Sequence, residues 1–107
     1  MIRKSLASIQ KRIARIKAEL TAIDAMRPGS LTRQYKDPKN QSGAYYQISY
    51  TREGKSRTEY VPRLCLPEVR REIRHYKRFK ALITEWVALS IEQSRSRIWK
   101  TKERRRP

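Results

Sequence analysis

A chain of 107 residues with 27 Lys and Arg against 10 Asp and Glu carries a formal charge of +17 and a pI near 10.8; that length holds one domain at most. With 37% apolar and 35% charged residues, the core is a narrow seam, which excludes a closed pocket of converging polar groups and with it most small-molecule enzymes. One cysteine, Cys65, and one histidine, His75, exclude an internal disulfide and a closed Cys/His zinc site, so no metal and no cofactor is expected.

The first element is the clearest. Ile2, Leu6, Ile9, Ile13, Ile16, Leu20 and Ile23 recur at alternating spacings of 4 and 3, the a/d pattern of a helix with one apolar stripe. This spacing predicts a helix over 2–26 whose stripe lies against another helix of the chain, a second copy, or a larger protein partner. Arg27-Pro28-Gly29-Ser30 ends it, because proline disfavours helical backbone before it and glycine permits a turn. No run here approaches the ~18 apolar residues of a membrane span. The amino-terminal segment also lacks the continuous apolar stretch of a signal peptide, and the chain is expected in the cytoplasm, with the nucleoid or a ribonucleoprotein.

From Leu31 to Asn40 the sequence reads as polar and irregular. After Gly43 the period becomes two: Ala44, Tyr46, Ile48 and Tyr50 share one side and Tyr45, Gln47, Ser49 and Thr51 the other, a strand with one packed face. Glu53-Gly54 supplies a turn, a return strand runs to Val61, and Pro62 ends pairing. A β-hairpin over 44–61 follows. Leu66-Pro67-Glu68 opens a second helix, expected over 67–98, with Val69, Ile73, Tyr76, Phe79, Ile83, Trp86, Val87 and Ser90 as its stripe, widened by Leu82, Leu89 and Ile91. The expected fold class is α+β, mainly α: two long antiparallel coiled-coil-like helices with the β-hairpin between them, one domain over 1–98, then a basic arm over 99–107.

Positive charge is spread along the chain. Residues 1–26 carry six basic and two acidic groups, residues 27–65 eight and three, residues 66–94 six and four, and residues 95–107 seven and one. A magnitude of roughly 2 to 8 suffices for solubility, so the excess predicts a polyanionic partner. Arg52, Lys55, Arg57 and Arg63 beside Tyr45 make the hairpin a candidate for groove insertion or base stacking. Arg70, Arg71, Arg74, Lys77 and Arg78 on the second helix are candidate phosphate contacts. Arg95, Arg97, Lys100, Lys102, Arg104, Arg105 and Arg106 join them at the carboxyl end. A solvated helix face has the same pattern on the second helix, and Glu68 and Glu72 stand one turn from several of these cations. Neither His75, expected at a surface or boundary, nor Cys65, expected as a small buried hydrophobe, carries chemistry.

Arg27-Pro28-Gly29-Ser30-Leu31, Gln34-Tyr35, Tyr45-Tyr46-Gln47, Lys55-Ser56-Arg57-Thr58 and Leu66-Pro67-Glu68-Val69-Arg70-Arg71 resemble a family of small basic prokaryotic proteins of unknown function. The resemblance implies occurrence near mobile elements, which fits a DNA or RNA partner. Many of its members carry cysteines between the Gln-Tyr and Tyr-Tyr-Gln elements, suggestive of a zinc knuckle. Here Lys36 to Ser42 contain none, so that role does not transfer. The expected function is non-catalytic nucleic-acid binding, with duplex DNA ahead of an RNA-binding role in a ribonucleoprotein. A coiled-coil adaptor for another protein is the alternative.

Overall fold

The computed structural model describes residues 5–104. Helix α1 (Leu6–Ala22) is followed by strands β1 (Ser30–Asp37), β2 (Ser42–Arg52) and β3 (Lys55–Val61), a 3₁₀ turn at Arg63–Cys65, and helix α2 (Leu66–Arg104). The chain forms two compact units: residues up to Ile23 with those from Phe79 onward, and Asp24–Arg78. Helix α2 contributes to both.

In the helical unit, α1 starts later than its stripe predicts. Ser5 is extended and its hydroxyl accepts a hydrogen bond from the Ser8 N–H at 3.1 Å, which satisfies one of the orphan donors and fixes the start. Ile2 lies outside the described residues. The helix stops at Ala22 rather than 26, because Ile23 turns extended (φ −70°, ψ 125°) while its N–H still reaches the Leu20 carbonyl. Ile9, Ile13 and Ile16 of α1 are buried with Leu82 and Leu89 of α2, and Leu20, Ile23 and Trp86 pack against them. The wide stripe expected on α2 is thus only partly covered: Val87 and Ile91 are exposed. Beside this seam Arg12 grips Glu85 with Nε at 2.6 Å and Nη2 at 2.7 Å, a two-pronged pair. Lys17 Nζ lies 5.4 Å from the Trp86 ring centre.

In the other unit the expected hairpin is present as β2–β3, but it is two-thirds of a three-stranded antiparallel sheet ordered β1-β2-β3. The segment Leu31–Asn40 is not irregular: β1 occupies most of it and pairs Leu31 with Ile48, Arg33 with Tyr46 and Tyr35 with Ala44. It escaped detection because only Leu31 and Tyr35 are apolar on its inward side, with Arg33 between them. A third strand answers the marginal stability of a lone ribbon. Glu53 (φ 54°) and Gly54 (φ 76°) both sit at positive φ between the paired Arg52 and Lys55, the geometry that a two-residue turn joining right-twisted strands demands.

Ile48, fully buried, centres a core with Val61, Leu66, Val69 and Ile73, against which Leu31 and Tyr46 pack. Leu66, Val69 and Ile73 share one side of α2 by their spacing of three and four. The chain between α1 and β1 is tied to the same part of α2. The Arg27 N–H donates to the Glu72 carbonyl at 3.2 Å, and His75 Nδ1 donates to the Ala25 carbonyl at 2.8 Å. Cys65 is exposed rather than buried, because the 3₁₀ turn hands the inward position to Leu66. The basic end is helical through Arg104. No glycine or proline interrupts residues 68 to 106.

Candidate nucleic-acid interface

The sheet has two chemically distinct faces. Alternation and register place Leu31, Tyr46, Ile48, Tyr50 and Val61 on the face that meets α2, and with them Arg33, Arg52, Lys55, Arg57 and Glu59. The opposite face carries Ser30, Thr32, Gln34, Tyr45, Gln47, Ser49, Thr58 and Tyr60, with Lys36 its one cation. Hydroxyls ladder across it, Ser49 Oγ to Thr58 Oγ1 at 3.3 Å. Tyr60, opposite Gln47, is 66% exposed.

The sheet therefore separates residues that sequence alone had grouped. Arg52, Lys55 and Arg57 are exposed on the packed face beyond the reach of its core. Tyr45, half-buried, projects from the other side. Arg63 is exposed in the 3₁₀ turn. Cations and open-face aromatics do not form one patch.

Part of the packed face is already neutralised. Arg27 Nη2 donates to Glu59 Oε2 at 3.0 Å, the Tyr50 hydroxyl donates to Glu59 Oε1 at 2.7 Å, and the Arg27 guanidinium stands 5.3 Å from the Tyr50 ring centre. The Tyr50 hydrogen bond, then that of Arg27, hold the Glu59 carboxyl below its usual range. The bond to Glu59, reinforced by desolvation, raises the Tyr50 phenol. Sequence reasoning assigned Arg27 only to the helix stop; no local pattern announces a partner 32 residues away.

Helix α2 does bring candidate residues together. Arg70, Arg74 and Lys77 follow at spacings of four and three, Arg71 and Arg78 flank that row on one side, and all five occupy an exposed arc of roughly 120°. Among the described residues no ion pair forms at Arg70, Arg71, Arg74 or Lys77. Glu68 and Glu72, four residues apart, lie on a different arc.

The terminal cations are arranged otherwise. Arg95 and Lys102 are seven residues apart, as are Arg97 and Arg104, and with Lys100 they surround α2 rather than line one side. All five are exposed, and Lys102 Nζ stands 5.5 Å from the Trp99 ring centre. Arg105 and Arg106 lie outside the described residues.

Among the described residues no group of three His, Cys, Asp or Glu side chains is placed to hold a metal ion. No helix described is long and apolar enough to cross a membrane. Neither a curated protein nor a solved structure matches the chain. A family does: residues 6–71, spanning α1, the whole sheet and the first turns of α2, match the family described as a domain of unknown function, and the chain belongs to that family, DUF6788.

Proposed function

We propose that the protein binds nucleic acid without catalysis, its phosphate chain lying along the arc of Arg70, Arg71, Arg74, Lys77 and Arg78. That arc carries the reading. Five cations within about two and a half turns of one helix meet a repeating anion, and a formal charge of +17 adds long-range attraction. Exposed Arg52, Lys55, Arg57 and Arg63 of the same unit extend the positive surface, and the arginines and lysines of the α2 end supply further phosphate contacts. Such contacts position a protein and read little sequence. Duplex DNA is the first target, its regular phosphate spacing suiting a straight basic helix. Structured RNA is the second, favoured by exposed Tyr60 with Tyr45 on the open sheet face, where unpaired bases stack.

Salt dependence of binding is the test. With some six to ten phosphates engaged, log affinity for a duplex falls against log salt with a slope of about −5 to −9. Replacing Arg71 and Arg74 together by alanine lowers the magnitude of that slope by about two and leaves the melting temperature nearly unchanged. A slope near zero for both duplex and structured RNA overturns the reading.

A further inference from the structure

Beyond Phe79, α2 has a second apolar side that α1 does not cover. Ile83, Val87, Ser90 and Ser94 follow at spacings of four, three and four, with Ile91 beside them and Ile98 one turn further. All of these but Ile98 line a shallow groove with Trp86 at its edge, rotated by roughly 120° from the buried Leu82–Leu89 side. Val87 is 54%, Ile91 47% and Ile98 62% exposed. The serines leave room for another chain's side chains. From Ile83 to Ile98 the strip is about 22 Å long, four turns of a docking helix.

The charges beside it say what fits. Arg97 borders one side of the strip's carboxyl half and Arg95 the other, and Arg104 and Lys102 continue these two rows beyond Ile98. The three acids of this half, Glu85, Glu92 and Glu103, fall on the arc roughly 150° or more away. A second copy carries the same formal charge of +17 and would be repelled on approach, and it offers no acid beside its own strip to meet these arginines. A phosphate chain would satisfy the borders but leave the isoleucines without apolar contact. We infer that the Ile83–Ile98 strip seats an amphipathic helix of a partner protein whose own apolar stripe is bordered by Asp and Glu. Interfacial carboxylates would select this strip over other apolar surfaces, and burial of Val87 and Ile91 would hold the complex.

The inference shares its bordering cations with the proposed phosphate contacts but rests on the exposed apolar side chains between them, and the full chain tests it. The probe is a synthetic helical peptide with leucine at heptad a and d positions and glutamate at e and g, set against a scrambled peptide of identical composition. The patterned peptide is expected to bind at least about tenfold more tightly than the scrambled one. It should shift the methyl signals of Ile83, Val87, Ile91 and Ile98. Exchanging Val87 and Ile91 together for glutamine should weaken it by about tenfold, with helix content and DNA affinity unchanged. Equal binding of the two peptides, no binding, or indifference to the double exchange overturns the inference. So does a dimer of the chain that the double exchange dissolves, since the strip then belongs to a second copy.

Discussion

Between Leu66 and Arg78, helix α2 buries one side on the sheet and gives the adjoining arc to five cations, whereas beyond Phe79 it buries one side with α1 and leaves a second apolar side in water. The same helix thus presents two chemistries along its length. A continuous cationic arc suits a partner recognised by charge density, while an apolar strip with charged borders suits one recognised by shape and burial. Net charge, positive in every segment of the sequence, conceals this change, because it counts cations without saying what lies between them.

The largest effects should come from the two cores. Ile48 in the sheet unit is fully buried and Leu82 in the helical unit is 1% exposed, so Ile48→Ala and Leu82→Ala should each cost about 2–5 kcal/mol in chemical unfolding. The comparison sharpens in hydrogen exchange. Ile48→Ala should accelerate exchange chiefly within Asp24–Arg78, and Leu82→Ala chiefly in α1 and the later part of α2. Uniform acceleration by either variant would show one cooperative block and weaken the division drawn here.

Glycine distinguishes the units next, since all three glycines fall in the sheet unit. Gly29 has φ +137°, and a Cβ there would lie 2.7 Å from Ile48 Cγ1 and 3.1 Å from the Ser49 carbonyl oxygen. Gly54 has φ +76° but open space around it. Gly29→Ala should therefore cost about 2–3 kcal/mol, through both strain and a displaced core residue, against about 1 kcal/mol for Gly54→Ala from strain alone. Equal losses of thermal stability would mean that Ile48 yields to the added carbon.

How much of this was legible follows from where each signal resides. Helix α1 declares its inward side because Ile9, Ile13 and Ile16 repeat among polar residues, and β2–β3 declares itself through alternation around Glu53-Gly54. Strand β1 does not, because an edge strand with Arg33 between Leu31 and Tyr35 has little apolar contrast. The separation of Tyr45 from Arg52 was already contained in the period of two, and its separation from Lys55 and Arg57 in the two-residue turn, which pairs even positions of β2 with odd positions of β3. What obscured it was grouping residues by proximity in sequence rather than by register. On α2, a stripe wide enough to include Leu82, Ile83, Trp86, Val87, Leu89 and Ile91 does not reveal which edge α1 covers; that is decided by which residues α1 itself offers.

The smallest predicted effects lie in pH dependence, and they too divide the units. In the helical unit Arg12 is raised above its usual value by its hydrogen bond to Glu85, so the stabilisation linked to that proton is complete through the acid and neutral range and is lost only in strong alkali. In the sheet unit the relevant windows are accessible. Glu59 is lowered from 4.5, so its contribution is fully present above 4.5 and is lost as pH falls through the lowered value. Tyr50 is raised from 10.0, so its contribution is complete below 10.0 and is lost as pH rises through the raised value. Melting temperatures of Glu59→Gln should accordingly lose part of the wild-type decline in acid. Tyr50→Phe should flatten the alkaline limb and, by removing the bond that most depresses Glu59, part of the acid limb as well. If Tyr50→Phe leaves the acid limb unaltered, Arg27 alone holds Glu59 ionised, and the phenol serves only as packing beneath the guanidinium.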